Sequence, residues 1–185
     1  ALFAAYAPVY EIDTVSRDDR PGRPTRRDDS VPDVDAGTPV VYTRLAWTRF
    51  DGALLPQLVY TVWFARRPPS RPGDPLAGRL DGLVWRVTLD RDGAPLLFNT
   101  IHPCGCYHQF VPTARLAAKA PEPGVEEGAL VVQRLPELAV GARVRLSIAS
   151  GSHYLQRVEP LAPGASPPSD AEPYRFERAS ALRTL

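Results

Sequence analysis

The chain has 185 residues, of which 44% are hydrophobic, and its 22 basic side chains nearly balance 21 acidic ones. This length predicts a single domain with its own core. A net charge of +1 lacks the basic excess that nucleic-acid-binding and anionic-membrane-binding proteins usually carry, so neither partner is expected. No run of about 18 apolar residues is present, which excludes a membrane-spanning helix.

Composition divides the chain into four segments of one domain. Residues 1–15 mix apolar and acidic side chains, and we expect them to add an edge strand or to lie over the core. Residues 16–38 are rich in Arg and Asp without an apolar stripe, which predicts a long charged surface loop. Residues 39–160 form the predicted β-domain, and residues 161–185 a proline-rich connector with a short C-terminal helix.

Hydrophobic periodicity predicts strands along most of the β-domain. The predicted strands cover residues 41–50, 58–64, 83–89, 96–101, 129–132, 144–148 and 153–158. The turn residues of 90–93 join the third and fourth of these into a hairpin, and we expect two helical turns over 113–120. This pattern predicts a mostly all-β fold, an antiparallel β-sandwich or partly open barrel with long Pro-rich loops and one or two short helices.

The scarce histidines and cysteines are concentrated in one place. The chain has three His and two Cys, and four of these five residues form an H-x-C-x-C-x-H segment: His102, Cys104, Cys106 and His108. The fifth is His153. Thiolate and imidazole are preferred ligands of zinc and copper(I). A straight strand would spread the four residues over roughly 20 Å, but Pro103 and Gly105 permit a tight bend.

We therefore predict a curled loop that binds one transition-metal ion together with His153, with zinc as the first choice and copper(I) as the alternative. The sequence leaves open whether such a metal is structural or catalytic. The predicted hairpin places residues 80–82 opposite His102. Asp81 would then accept the second ring N–H of a metal-bound histidine, or would simply be a turn residue before Gly82.

Two other interpretations compete with a metal site. In a cysteine-dependent hydrolase or acyltransferase, Cys104 or Cys106 would be the nucleophile and His153 the base, oriented by Asp81 or by one of two carboxylates near the N-terminus, Asp13 and Glu11. In a non-catalytic interaction module, Cys104 and Cys106 would form a strained disulfide across one glycine. Because the chain contains no Met, we expect it to derive from a longer polypeptide, and we favour an extracytoplasmic location.

Overall fold

The computed structural model describes residues 2–27, 31–117, 124, 128–166 and 168–184. This part of the chain is mostly β, as the sequence predicts, and its sheets are open rather than closed into a barrel. The strands are β1 Val9–Ile12, β2 Arg23–Arg27, β3 Val31–Asp35, β4 Val40–Phe50, β5 Ala53–Arg67, β6 Gly78–Leu89, β7 Pro95–Ile101, β8 Gln109–Pro112, β9 Leu130–Val131, β10 Val144–Ile148, β11 Leu155–Pro160 and β12 Arg175–Arg178. Helix α1 spans Leu2–Ala5, and 3₁₀ segments span Arg17–Asp19 and Ala179–Thr184.

The main sheet has seven strands in the order β12-β4-β5-β6-β7-β8-β9. Its four central pairings, from β4 to β8, are antiparallel, whereas β12 and β9 pair in parallel at the two edges. The predicted hairpin is present as β6 and β7, with Val84 paired to Ile101 and an irregularity between Thr88 and Leu89. This hairpin carries the chain directly into His102.

One hydrophobic core lies between the main sheet and the three-stranded sheet β1-β10-β11. Alternate residues of β5, β6 and β10 are fully buried in it, including Leu58, Trp85 and Leu146. Trp85 also stacks against Phe98 of β7, with 5.3 Å between the ring centroids. Full burial of each such side chain contributes about 1.5–3 kcal/mol, so this core anchors the central strands on which the site is built.

The charged segment 16–38 is more ordered than the predicted surface loop. It forms a 3₁₀ segment and the antiparallel hairpin β2–β3, and an isolated bridge joins Gly22 to Trp63 of β5. Several of the charges that suggested a solvated loop are paired: Arg27 binds Asp33 within the hairpin, and Arg23 binds Glu177 of β12. Ion pairs and two buried residues, Pro24 and Val34, take the place of an apolar stripe.

The structure differs from two further predictions, each in a short segment of the chain. In the predicted helical segment 113–120, residues 114–116 form a turn closed by a hydrogen bond from the Leu116 amide to the Thr113 carbonyl at 3.1 Å. The buried Thr113 hydroxyl binds the Leu96 carbonyl at 3.0 Å, and residues 118–120 lie outside the described residues. At the C-terminus, β12 precedes the short 3₁₀ segment. No helix in the described ranges is long and apolar enough to cross a membrane.

Candidate functional site

The segment after β7 is a tight turn that presents two thiols. The His102 amide donates to the Cys106 carbonyl at 3.0 Å, and the Gly105 amide donates to the His102 carbonyl at 2.9 Å. Gly105 has φ +88°, a conformation that glycine adopts without the steric cost of a Cβ atom. The predicted curl is therefore present, and it brings Cys104 and Cys106 together.

Cys104 and Cys106 are both free thiols, the first exposed and the second half-buried. The Cys106 amide points at Cys104 Sγ, with 3.4 Å between the nitrogen and sulfur atoms. The pKa of the Cys106 thiol is raised, first by a hydrogen bond with Cys104 and then by burial, although the positive charge of Arg67 opposes this. A raised pKa lowers the thiolate fraction at neutral pH, so Cys106 favours its protonated form.

Asp81, near the start of β6, joins two histidines that are 51 positions apart in the sequence. Its Oδ1 lies 3.1 Å from His102 Nδ1, and its Oδ2 lies 2.6 Å from His153 Nδ1. Burial alone would raise the pKa of Asp81, but hydrogen bonds from both histidines outweigh burial and hold the pKa far below its usual value. The carboxylate is therefore ionised, and it orients both imidazole rings.

His153 is fully buried behind Asp81. Its ring stacks on Phe64 with 3.8 Å between centroids and 2° between planes. Its Nε2 lies 3.5 Å from Asp19 Oδ1, so each ring nitrogen faces a carboxylate. Asp19, His153, Asp81 and His102 thus form a continuous line of alternating carboxylates and imidazoles, and His153 supports the site from beneath rather than facing solvent.

Asp19 connects this line of side chains to the backbone through hydrogen bonds. The carboxylate accepts hydrogen bonds from the amides of Gly151 at 2.6 Å and Ser16 at 2.8 Å, and from the Ser150 hydroxyl at 3.1 Å. Burial would raise the pKa of Asp19, but these hydrogen bonds, with one more from the Val15 amide, lower it to about 2. Asp19 therefore fixes the turn that precedes His153.

The two ring nitrogens of His102 differ in their contacts. Its Nδ1 faces Asp81, whereas its buried Nε2 has no hydrogen-bond partner within the described part of the chain. The histidine lines a cavity of about 190 Å³ together with Asp81 and both cysteines. The cavity wall also includes Arg67, Arg79 and Tyr107. An oriented imidazole, two thiols and cationic side chains therefore share one cavity.

The structure separates other predicted residues from this cavity. His108 contacts Asn99, with 3.2 Å between His108 Nε2 and Asn99 Oδ1, and it lines a different cavity. Glu11 binds the Ser147 hydroxyl at 2.9 Å on β10, and Asp13 follows β1, where its amide binds the Ile148 carbonyl. Of the three carboxylates considered as orienting groups, Asp81 is the one beside a cavity histidine.

Sequence reasoning missed several residues that build the site. Asp19 stands in a segment that was expected to be solvated, although Ser16 and Asp19 form a capping box that was visible in the sequence. Arg67 donates to the Tyr154 hydroxyl at 2.9 Å, and Tyr154 packs against Tyr107 and His102. These contacts join positions more than 40 residues apart, and no local pattern indicates them.

Among the described residues, no group of three or more His, Cys, Asp and Glu side chains is arranged to hold a metal ion. Comparisons with protein-family models, curated proteins and solved structures give no match.

Proposed function

We propose that the protein binds one soft transition-metal ion, copper(I), through the thiolates of Cys104 and Cys106. The observation that carries the proposal is the contact between two free thiols at the tip of one tight turn. Thiolates are soft ligands that select copper(I) and zinc over harder cations. Because both come from one turn held by its own backbone hydrogen bonds, little chain ordering is needed when the ion binds.

The placement of the histidines favours copper(I) over zinc, the metal that the sequence favoured. Structural zinc sites take four ligands, but His108 contacts Asn99 and His153 contacts Asp81. Copper(I) is stable with two or three ligands, so two thiolates suffice. His102 is the candidate third ligand, since it lines the same cavity and its Nε2 is available.

Asp81 would position His102 for this role. A carboxylate on Nδ1 keeps the proton on that nitrogen and leaves the Nε2 lone pair free, the usual arrangement behind a metal-bound histidine. His153, which lies between Asp81 and Asp19, contacts Asp81 from the buried side, so these residues would set the orientation of the third ligand.

The test is an anaerobic titration of the reduced protein with copper(I) in competition with a chromophoric copper(I) chelator. We expect one copper per chain, and at least 100-fold weaker binding by Cys104→Ser and by Cys106→Ser. His102→Asn should weaken binding less, and the matched variant His108→Asn should bind like the unaltered protein. Unaltered affinity in both serine variants would overturn the proposal. A parallel titration with zinc shows which metal is preferred.

A second candidate function, a cysteine-dependent hydrolase or acyltransferase, is favoured by the Asp81–His102 pair in the same cavity as the thiols. In this mechanism a thiolate attacks a carbonyl carbon, while His102 Nε2 takes the thiol proton and returns it to the leaving group. His102 replaces His153 as the base, because His153 lies buried between two carboxylates. The raised pKa of the Cys106 thiol points to Cys104 as the nucleophile.

Thiol chemistry separates this candidate from the metal site. If His102 acts as a general base, iodoacetamide should modify Cys104 much faster at neutral pH than it modifies the thiol of a small peptide. The variant His102→Asn should then react at the rate of the peptide thiol. Modification at the rate of an ordinary thiol would contradict it. If protein purified without reductant contains no free thiol, a Cys104–Cys106 disulfide and an interaction module are favoured. An extracytoplasmic location and a longer parent polypeptide stay predictions.

A further inference from the structure

A second cavity, of about 260 Å³, lies on the face of the main sheet opposite the core. Arg86 on β6 alternates with the buried Trp85 and Val87, so its side chain belongs to this outer face. The register aligns Arg44, Val59, Arg86, Asn99 and Phe110 in one row across five strands. Two arginines therefore lie on one row of the same face, separated by one strand.

Asn99 organises the polar end of this cavity. It is 3% exposed, and its Oδ1 accepts a hydrogen bond from Arg86 Nη1 at 3.0 Å. The same oxygen lies 3.2 Å from His108 Nε2. Since one buried amide holds both side chains, Arg86 and His108 are fixed relative to each other before any ligand arrives.

The positive charge in this cavity has no acidic partner among the described residues that line it. Arg49 and Arg86 line the cavity, and no Asp or Glu stands among its described lining residues. Arg86 forms no ion pair within the described part of the chain, and its pKa is lowered by burial and by the like charge of Arg44. A partly desolvated cation beside a like charge costs free energy unless an anion compensates it.

Apolar side chains, including Phe50, Leu97 and Phe110, form part of the cavity wall beside the charged end, and Thr48, Gln57 and Thr88 add polar groups. A guanidinium group offers paired N–H donors that match the oxygens of a carboxylate or a phosphate. Ligand cavities commonly combine such a polar anchor with apolar walls. The volume suits a small ligand of the size of one ring.

From this combination we infer that the outer-face cavity is a binding site for a small organic anion, whose carboxylate or phosphate group binds Arg86 and whose apolar body packs against Phe50 and Phe110. This site is independent of the thiol cavity, to which His108 does not contribute. His108, a candidate metal ligand in the sequence, would thus belong to an anion site.

The test is calorimetric titration with benzoate. Phenyl phosphate and inorganic phosphate distinguish the contributions of the head group and the ring, and benzyl alcohol is the uncharged control. We expect saturable binding of an aromatic anion, at least tenfold weaker in Arg86→Gln and unchanged in Arg71→Gln, which alters an exposed arginine of the β5–β6 loop. Benzyl alcohol should bind at least tenfold more weakly than the anion.

Three results would overturn this inference: no binding of any of these anions, equal binding of benzoate and benzyl alcohol, or unchanged affinity in Arg86→Gln. Urea unfolding of Arg86→Gln checks that the variant is folded, and Arg49→Gln provides a second variant of the same wall if it is not. Copper(I) binding should be the same in Arg86→Gln as in the unaltered protein, which keeps the two sites separate experimentally.

Discussion

Replacing Asp19 by Asn would remove the carboxylate that ties the N-terminal 3₁₀ segment to the turn before His153. In the folded protein this carboxyl has a pKa of about 2, compared with an ordinary value of 3.8. That difference corresponds to about 2 kcal/mol of folding free energy at neutral pH. Because the folded pKa is the lower one, this stabilisation is complete above about pH 4 and is lost as the pH falls towards 2.

We therefore expect Asp19→Asn to lower the free energy of unfolding by about 2–3 kcal/mol at pH 7, and by less than about 1 kcal/mol near pH 2. Urea unfolding followed by tryptophan fluorescence at a series of pH values measures this difference. Asp92→Asn, the same change at a side chain that is 78% exposed, is the control and should shift stability by less than about 0.5 kcal/mol. An Asp19→Asn effect that is equally large at both pH values would refute the reasoning.

Two substitutions test the packing around the site. Gly82→Ala would place a Cβ 2.8 Å from the Val62 carbonyl oxygen, so we expect a loss of about 2 kcal/mol in urea unfolding. Gly78→Ala, on the same strand with open space around it, should cost less than about 0.5 kcal/mol, and equal losses would contradict the close approach. Tyr154→Phe removes the hydroxyl that accepts from Arg67 at 2.9 Å, which should cost about 1 kcal/mol; unchanged thermal stability would show that this bond contributes nothing.

The elements that could be predicted from the sequence are those fixed by local chemistry. Alternating apolar residues and a turn ending in Gly93 were sufficient to predict the hairpin β6–β7. Pro103 and Gly105 likewise indicated the curl that brings the thiols together. The β2–β3 hairpin was not predictable in this way, because its strands are held by ion pairs and by contacts with β5, neither of which leaves a periodic apolar pattern.

The register of β6 and β7 explains why the sequence predicted the position of Asp81 relative to His102. Counting back from the turn put Asp81 opposite His102, but the irregularity at Thr88 and Leu89 shifts the pairing so that Val84 faces Ile101. Asp81 still reaches His102, because residues 81 and 83 lie on the same face of β6. A shift by one residue would have turned Asp81 away from the cavity.

His108 is a predicted site residue that the structure places away from the thiol cavity. Thr100 pairs with Gln109, so these two residues share the core-side face and His108 belongs to the outer face. The even spacing of the H-x-C-x-C-x-H segment suggested that all four residues could act together, but the turn at 102–106 breaks the alternation on which such a grouping depends. The identity of Asp19 as a partner of His153 depends on the tertiary fold, since 134 positions separate them in the sequence.

X-ray absorption spectroscopy of the copper-loaded, reduced protein tests the proposed metal site most directly, because it identifies the atoms bonded to the ion. A copper(I) edge with two sulfur neighbours, and at most one additional nitrogen that disappears in His102→Asn, is the result that we expect. A copper environment of nitrogen and oxygen atoms alone, or one that is unchanged when Cys104 and Cys106 are both replaced by Ser, would contradict the proposal that the two thiolates of this turn bind the metal.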